Sequence, residues 1–400
     1  MSIIQLFYLQ TLSHSMASMA AANTNFSLEL YKKIAASNKT GNVFFSPFSI
    51  SSALAMVYLG AKGNTSTQMH AVLSLDKAEG DVHVGFNKLL AEFRPKACDP
   101  YVLSMANRLY GEQSYQFVEK FLADTKLYYL TELEPIDFKA NAEAARVKIN
   151  KWVEGETQEK IKDLLAKGTV NRATQLVLVS AIYFIACWES QFRRADTKEV
   201  PFRLNKKETR PVQMMHQMEH FPFTRIPDVN CKILELPYKG KDLSMLVMLP
   251  NEMEDGTTGL EKLEQALTYD NFINWTKPHM MNTVKVNVGL PKFKLEETYD
   301  LKKTLVSMGM ADAFDPNKCD FSGMSPDQEL VLSEVVHKSF VEVNEEYTEA
   351  AAATAMAMIT GCLMTTREDP EEFMADHPFL FFIRHNLTQS ILFYGRYSSP

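Results

Sequence analysis

One pentapeptide carries the residue types of a metallopeptidase centre. His216-Gln217-Met218-Glu219-His220 has the H-x-x-E-H order, in which two imidazoles hold a zinc ion and a carboxylate serves as general base. That chemistry needs both histidines on one face of a helix. Pro211 and Pro222 bracket the segment, and Val212, Met214 and Met215 suit extended backbone, so strand and turn are predicted here rather than a zinc site. His337 lies between Ser333 and Ser339, as a base might lie near a nucleophile. No sharp turn that would present a serine accompanies it, and the plainer reading is a hydrogen-bonded histidine in a strand core. No G-x-S-x-G, H-E-x-x-H, Walker A or G-x-G-x-x-G pattern occurs. The chain is therefore not read as an enzyme, and no catalytic residues, metal or cofactor are expected.

The remaining place for chemistry is a segment that could be acted upon. From Glu345 to Phe373 the chain reads EEYTEAAAATAMAMITGCLMTTREDPEEF, with 17 consecutive uncharged residues between Glu349 and Arg367. A loop this long inside a compact chain is usually functional or disordered, and this one is too apolar for a solvated linker. Its alanines would favour a helix. Read as a strand instead, Thr348, Ala350, Ala352, Thr354, Met356 and Met358 share one uncharged face that a sheet could bury, while Glu349 begins the opposite face.

The flanking elements that must position this segment are legible. Val331 to Asn344 is strand-like before it, and His377 to Ile383 (HPFLFFI) is an apolar run after it. Thr174 to Ile185 (TQLVLVSAIYFI) reads as a central strand buried on both faces. Asn25 to Ser37, Ser49 to Ala61, Gly85 to Arg94, Gln116 to Tyr129, Asn141 to Leu165 and Leu301 to Met310 read as helices. Tyr101 to Tyr110, Cys231 to Pro237, Leu243 to Pro250, Asn282 to Phe293 and Ser390 to Tyr397 read as strands. No linker or internal repeat divides the chain.

Composition is that of an ordinary globular protein, 46% hydrophobic and 23% charged, with a core of ample size. A net charge of −7 without a dense Lys/Arg run argues against nucleic acid as a partner. The apolar Ser2 to Leu12 is too short to span a membrane. Residues 1–24 are expected to be a poorly ordered extension, and Met1 to Ser15 to have no folded role. The cysteines (Cys98, Cys187, Cys231, Cys319 and Cys362) are odd in number and widely spaced, which suits free thiols in a reducing, cytoplasmic compartment. Secretion without a classical cleaved signal is the alternative, and only then would the Asn-x-Ser/Thr patterns at Asn25, Asn38, Asn64, Asn274 and Asn386 matter.

Two motifs carry a family resemblance. Glu345-Glu346-Tyr347-Thr348-Glu349-Ala350-Ala351-Ala352-Ala353-Thr354 resembles the hinge of a serpin reactive-centre loop, and Phe373 to Ile383 resembles the signature that follows that loop. Ala106-Asn107-Arg108-Leu109-Tyr110, Ile149-Asn150-x-Trp152 and Asp320-Phe321-Ser322-Gly323-Met324 fit the same family in order, so the resemblance runs from about Asn25 to Pro400. Val341-Glu-Val-Asn-Glu-Glu346 and the ending Ser-Ser-Pro400 are most similar to the intracellular, ovalbumin-like branch.

The resemblance implies an α+β fold, about nine helices around three β-sheets with the loop exposed. It implies a monomeric serine-protease inhibitor that is cleaved in the loop and inserts the freed segment as a strand; the alternative is a non-inhibitory carrier, chaperone or protease substrate. It implies a hinge at Glu345, Tyr347, Thr348, Glu349, Ala350, Ala351, Ala352, Ala353 and Thr354, and a shutter of Ser46, Ser49, Ser180 and His337. The family has Asn where this chain has Ser180, and Gly where it has Tyr347. Counted from Glu345, the reactive bond joins Gly361 and Cys362; counted back from Phe373, it lies near Thr365. Gly361 suits an elastase-like protease with a small pocket, and Leu363 or Met364 a chymotrypsin-like one.

Overall fold

The computed structural model describes residues 3–94, 100–327, 330–345 and 369–400. Among these residues the helices are α1 (Ile3–Ser37), α2 (Pro47–Tyr58), α3 (Gly63–Val72), α4 (Val82–Glu92), α5 (Glu119–Tyr129), α6 (Phe138–Glu156), α7 (Glu261–Ala266), α8 (Tyr269–Thr276) and α9 (Lys302–Met308). The strands are β1 (Val43–Phe45), β2 (Tyr101–Glu112), β3 (Leu133–Ile136), β4 (Leu176–Ala186), β5 (Lys198–Arg203), β6 (Thr209–Ile226), β7 (Cys231–Pro237), β8 (Leu243–Pro250), β9 (Asn282–Pro291), β10 (Phe293–Asp300), β11 (Leu332–Val343), β12 (Glu371–Met374), β13 (Phe379–His385) and β14 (Ser390–Tyr397).

A sheet of order β10-β11-β4-β2-β3 organises the molecule. Its central strand β4 is buried at every residue but the last, as its unbroken apolar run requires. The two faces divide by alternation. Leu176, Leu178, Ile182 and Phe184 join the main core, whereas Val177, Val179, Ala181 and Tyr183 pack with Ile149 and Val153 of α6. Within this sheet β11 and β4 run parallel, from Leu332↔Leu176 to Val341↔Phe184. The β10–β11 and β4–β2 pairs are antiparallel.

The other sheet runs β1-β14-β13-β8-β7-β6-β9-β12, with β5 on β6. The resemblance implied three sheets; here the second and third are continuous, because the 18-residue β6 serves both. Its first part pairs with β5 and β9, and its last four residues pair with β7. His216 and His220 lie on this strand, as their flanking prolines predicted, about 13 Å apart along it and unsuited to share an ion. No group of three metal-ligating side chains occurs among the described residues. No helix among them is long and apolar enough to cross a membrane.

Two helices differ from their predicted extents. α1 begins at Ile3 rather than Asn25, because no Gly or Pro interrupts the run. Residues set apart as an extension are drawn into the core: Met19, Ala20, Ala22, Asn23 and Thr24 are buried, and Asn23 donates to the Ile391 carbonyl at 3.1 Å. At the other extreme α6 stops at Glu156 instead of reaching Leu165. Asn150 exchanges hydrogen bonds with the Leu165 backbone at 2.8 and 2.9 Å, which folds the following segment back along the helix. Positive φ at Gln158 and Glu159 makes the bend.

Arg396 ties β14 to the turn after α1 and to α7. Its side chain is fully buried, donating to the Gly41 and Asn38 carbonyls and lying 3.0 Å from Glu264, which also accepts from the Tyr31 hydroxyl at 2.5 Å. Arg396→Ala removes the donor of two carbonyls and leaves Glu264 with Tyr31 alone, without its counter-charge. A fall of about 5 °C or more in the thermal unfolding midpoint is expected by calorimetry.

Candidate functional site

The described ends of the long loop segment leave from two different sheets. Glu345 follows β11 at its C-terminal end, and Glu371 opens β12 beside β9. Glu345 is the one predicted hinge residue that the structure describes. Tyr347, Thr348, Glu349, Ala350, Ala351, Ala352, Ala353 and Thr354, and the proposed Gly361–Cys362 bond, lie outside the described residues.

Glu345 is anchored, although it is a carboxylate next to an apolar stretch. It is only 4% exposed, accepts from Thr197 Oγ1 at 2.7 Å and pairs with Lys292 Nζ at 3.0 Å. Burial alone would raise its pKa; the hydrogen bonds from Thr197, its own backbone and Lys292 outweigh this and hold the carboxyl below the usual value. One residue earlier, Trp188 donates from Nε1 to the Asn344 carbonyl at 2.9 Å and stacks on Tyr238 at 4.5 Å. The segment therefore starts from a fixed point at the open end of the β4–β11 pair.

Lower in the same pair, Ser46, Ser49, Ser180 and His337 come together. His337 and Ser180 stand opposite one another across β11 and β4. The Ser46 backbone N–H donates to His337 Nε2 at 3.0 Å, so Nε2 is the acceptor and the proton sits on Nδ1. Nδ1 then donates to Ser180 Oγ at 2.9 Å, leaving the Ser180 hydrogen for Ser49 Oγ at 2.8 Å. Ser49 in turn donates to Asn107 Oδ1 at 2.9 Å. Sequence position alone did not reveal Asn107 as a member. The β2–β4 register puts it opposite Ser180, where its amide donates to the Ser49 carbonyl at 3.0 Å and Ser52 Oγ at 3.2 Å. Where the family has a longer Asn at Ser180, this chain reaches the neighbouring amide through hydroxyl groups.

Helix capping aims the relay. Ser46 is the N-cap of α2, with Pro47 at the first helical position; its Oγ accepts from the Ser49 N–H at 3.1 Å and donates to the Leu392 carbonyl at 2.6 Å. The same cap geometry leaves the Ser46 N–H pointing at His337. The imidazole is fully buried, and desolvation pushes its pKa down to about 3.

A strap crosses the face of this pair. Lys338, the residue after His337, donates to the Lys162 carbonyl at 2.8 Å and pairs with Glu296 at 2.8 Å. Lys162 belongs to the segment that returns from α6, which Arg146 and Asn150 hold through the Leu165 carbonyl at 2.9 Å each.

Comparisons with known proteins agree with one another. A model of the serpin family, described as serine protease inhibitor, matches residues 21–400. The leukocyte elastase inhibitor of Xenopus tropicalis is 53% identical over 96% of this chain and 100% of its own length. The structure of uncleaved ovalbumin superposes with a TM-score of 0.86 at 38% identity, covering 96% of this chain and 100% of ovalbumin. A loop-inserted structure of a cleaved ovalbumin mutant superposes with a TM-score of 0.84 at 37% identity and the same coverage.

The neutral buried imidazole makes stability depend on pH. In the unfolded chain a histidine titrates near 6.5, while His337 in the fold stays neutral down to about 3. The unfolded state therefore binds the proton first, and stability is lost as pH falls through that window. Thermal midpoints measured from about pH 6.5 to about pH 4.5 should fall more steeply for the wild type than for His337→Gln. Parallel curves would show that this ring does not titrate on unfolding.

Proposed function

The chain belongs to the serpin family, and on that premise we propose that it inhibits serine proteases as a suicide substrate. The observation that carries the reading is the parallel β4–β11 pair with the loop leaving from the end of β11. A segment that turns back from Glu345 and enters between these strands runs antiparallel to both of them. The insertion replaces one parallel pairing with two antiparallel ones, which are slightly stronger per residue.

The chemistry belongs to the protease. Its serine attacks the loop carbonyl, the amine of the next residue leaves with the serine's proton, and an ester joins the two proteins. The freed segment is then no longer tied to β12. About ten added ladder hydrogen bonds at a net ~1 kcal/mol each, plus apolar burial, make its entry into the sheet downhill. The attached protease is carried along before water completes the hydrolysis. Entry requires β4 and β11 to move from ~4.8 Å to ~9.6 Å apart. The His337–Ser180 contact, at 2.9 Å, must open in this step, so the relay serves as a shutter.

The target we propose is a protease with a small or apolar specificity pocket. The name of the Xenopus tropicalis relative supports an elastase-like enzyme, and Gly361–Cys362 is the bond whose distance from Glu345 suits insertion. Among the described residues Cys187, Cys231 and Cys319 are free thiols, which supports a cytoplasmic site of action.

Incubation with a panel of elastase-like and chymotrypsin-like proteases, followed by denaturing gels, tests the reading. A covalent band at the summed mass is expected; cleaved chain without that band would overturn inhibition. Mass spectrometry of the fragment released from the complex should begin at Cys362, and a start at Glu368 would refute the proposed bond. Thr348→Arg places an unpaired charge on the face that insertion buries, at a cost of several kcal/mol. The variant should be cleaved at the normal rate yet form almost no complex. Tyr347→Gly, which frees the backbone at the turn, should reduce the number of inhibitor molecules consumed per protease trapped. Equal stoichiometry in the two forms would make that position indifferent.

A further inference from the structure

Below the His337 relay, β4 and β11 are joined by side chains at a second place, where both strands begin. Gln175 immediately precedes β4 and is partly buried. Its Oε1 accepts from the Val331 N–H at 2.7 Å, and its own N–H donates to Ser333 Oγ at 2.9 Å. The β11 side is irregular at this level. Leu332 stands opposite Leu176 and Glu334 opposite Val177, so Ser333 is an extra residue, a bulge whose hydroxyl meets Gln175. Gln175 thus holds the β11 chain on both sides of Leu332. The β4 side is fixed in turn. The Gln175 carbonyl accepts from the Glu112 N–H of β2 at 2.8 Å, and the Asn171 N–H donates to Thr174 Oγ1 at 2.9 Å across the preceding turn. Next to Val331, the Leu330 carbonyl accepts from Cys319 Sγ at 3.2 Å.

We propose that Gln175 is a second clasp, which an entering strand opens last and which sets how soon the strand reaches the end of the sheet. A segment antiparallel to β11 advances one residue down it for each of its own. With Thr348 opposite Val343, Thr354 comes level with His337, Ile359 with Leu332 and Gly361 with Leu330. The relay therefore parts when the segment is half in, and the Gln175 bonds break only as its last residues arrive. Both bonds cross the gap that those residues fill. Until they break, the ester stops short of the end of the sheet, and its hydrolysis competes with trapping. Gln175 acts through the position of the ester and is a positioning residue. Its effect on trapping rests on the inhibitory reading; its opening by an entering strand is tested without a protease.

Two synthetic peptides, of residues 346–356 and 346–361, separate the two stages when each is incubated with the uncleaved full chain. Uptake is read as the rise with time in the thermal unfolding midpoint. The shorter peptide ends below His337 but above Gln175; the longer one must open both. Gln175→Leu removes the acceptor of the Val331 N–H. It should speed uptake of the longer peptide about threefold to tenfold, the worth of one hydrogen bond, and change that of the shorter by less than about twofold. Gln175→Glu, which keeps an acceptor, should restore the wild-type rate. Ser333→Ala replaces Gln175→Leu if that variant does not fold by circular dichroism, with the same result expected. Equal acceleration of both peptides would show general loosening and overturn the clasp. So would unchanged uptake of the longer peptide, or failure of the wild type to take up either. In the reaction with an elastase-like protease, Gln175→Leu should lower the number of inhibitor molecules consumed per protease trapped and leave the rate of loop cleavage unchanged. A number that does not fall overturns the effect on trapping. Absence of any covalent complex, with the peptide result intact, counts against the inhibitory reading and leaves the clasp supported.

Discussion

A buried imidazole that must stay neutral is the constraint on which the architecture turns. His337 faces a backbone N–H on one side and a hydroxyl on the other, so its tautomer is fixed by its neighbours. The ring and its two neighbours belong to three separate parts of the chain: the middle of β11, the cap of α2 and the middle of β4. Removing water from the ring makes each bond count, because any one left unmade would strand a buried polar group. The cluster thus registers the helix layer against the sheet at the line where the sheet has to part. The strap through Lys338 and the anchor at Glu345 bear on the same two strands from the face and from the open end. Three polar devices, each satisfied, secure a strand pair that hydrophobic packing alone would hold without preference for one spacing.

The central sheet explains why such devices are needed. Parallel neighbours in β4 and β11 are joined by long connections, so no tight turn fixes their separation. On the proposed reading, the segment after Glu345 enters between them and bonds to both. A fold of this kind keeps a favourable rearrangement waiting behind local barriers, and its working lifetime is a matter of rate rather than equilibrium.

Much of this was legible in the chain, and the gaps have physical causes. The unbroken apolar run of β4 announced a strand covered on both sides, and Pro211 and Pro222 correctly excluded a helical zinc motif at His216 and His220. Helix ends were harder. α6 was expected to reach Leu165, but a side chain within it, Asn150, captured the backbone that would have continued it. α1 gave the opposite error, since an Ala-, Ser- and Met-rich run shows little amphipathic contrast although it packs on the core. Asn107 went unassigned because its role depends on the β2–β4 register, a pairing across more than 70 residues that no local pattern encodes. The polar intruder in an otherwise apolar stretch was the available signal. The shared strand β6 was hidden likewise, for its two halves look like separate strands until their partners are known.

The burial of Arg396 and Tyr397, far along the chain from α1 and β1, has a consequence for biosynthesis. β14 lies between β1 and β13, and its Ile391 carbonyl receives Asn23 of α1. Elements α1 and β1 are made long before β14 and wait for it before they are covered. Throughout translation they expose apolar surface and unpaired backbone, the condition that recruits chaperones and invites association between nascent chains. A premature stop before β14 would leave α1 and β1 without their partner.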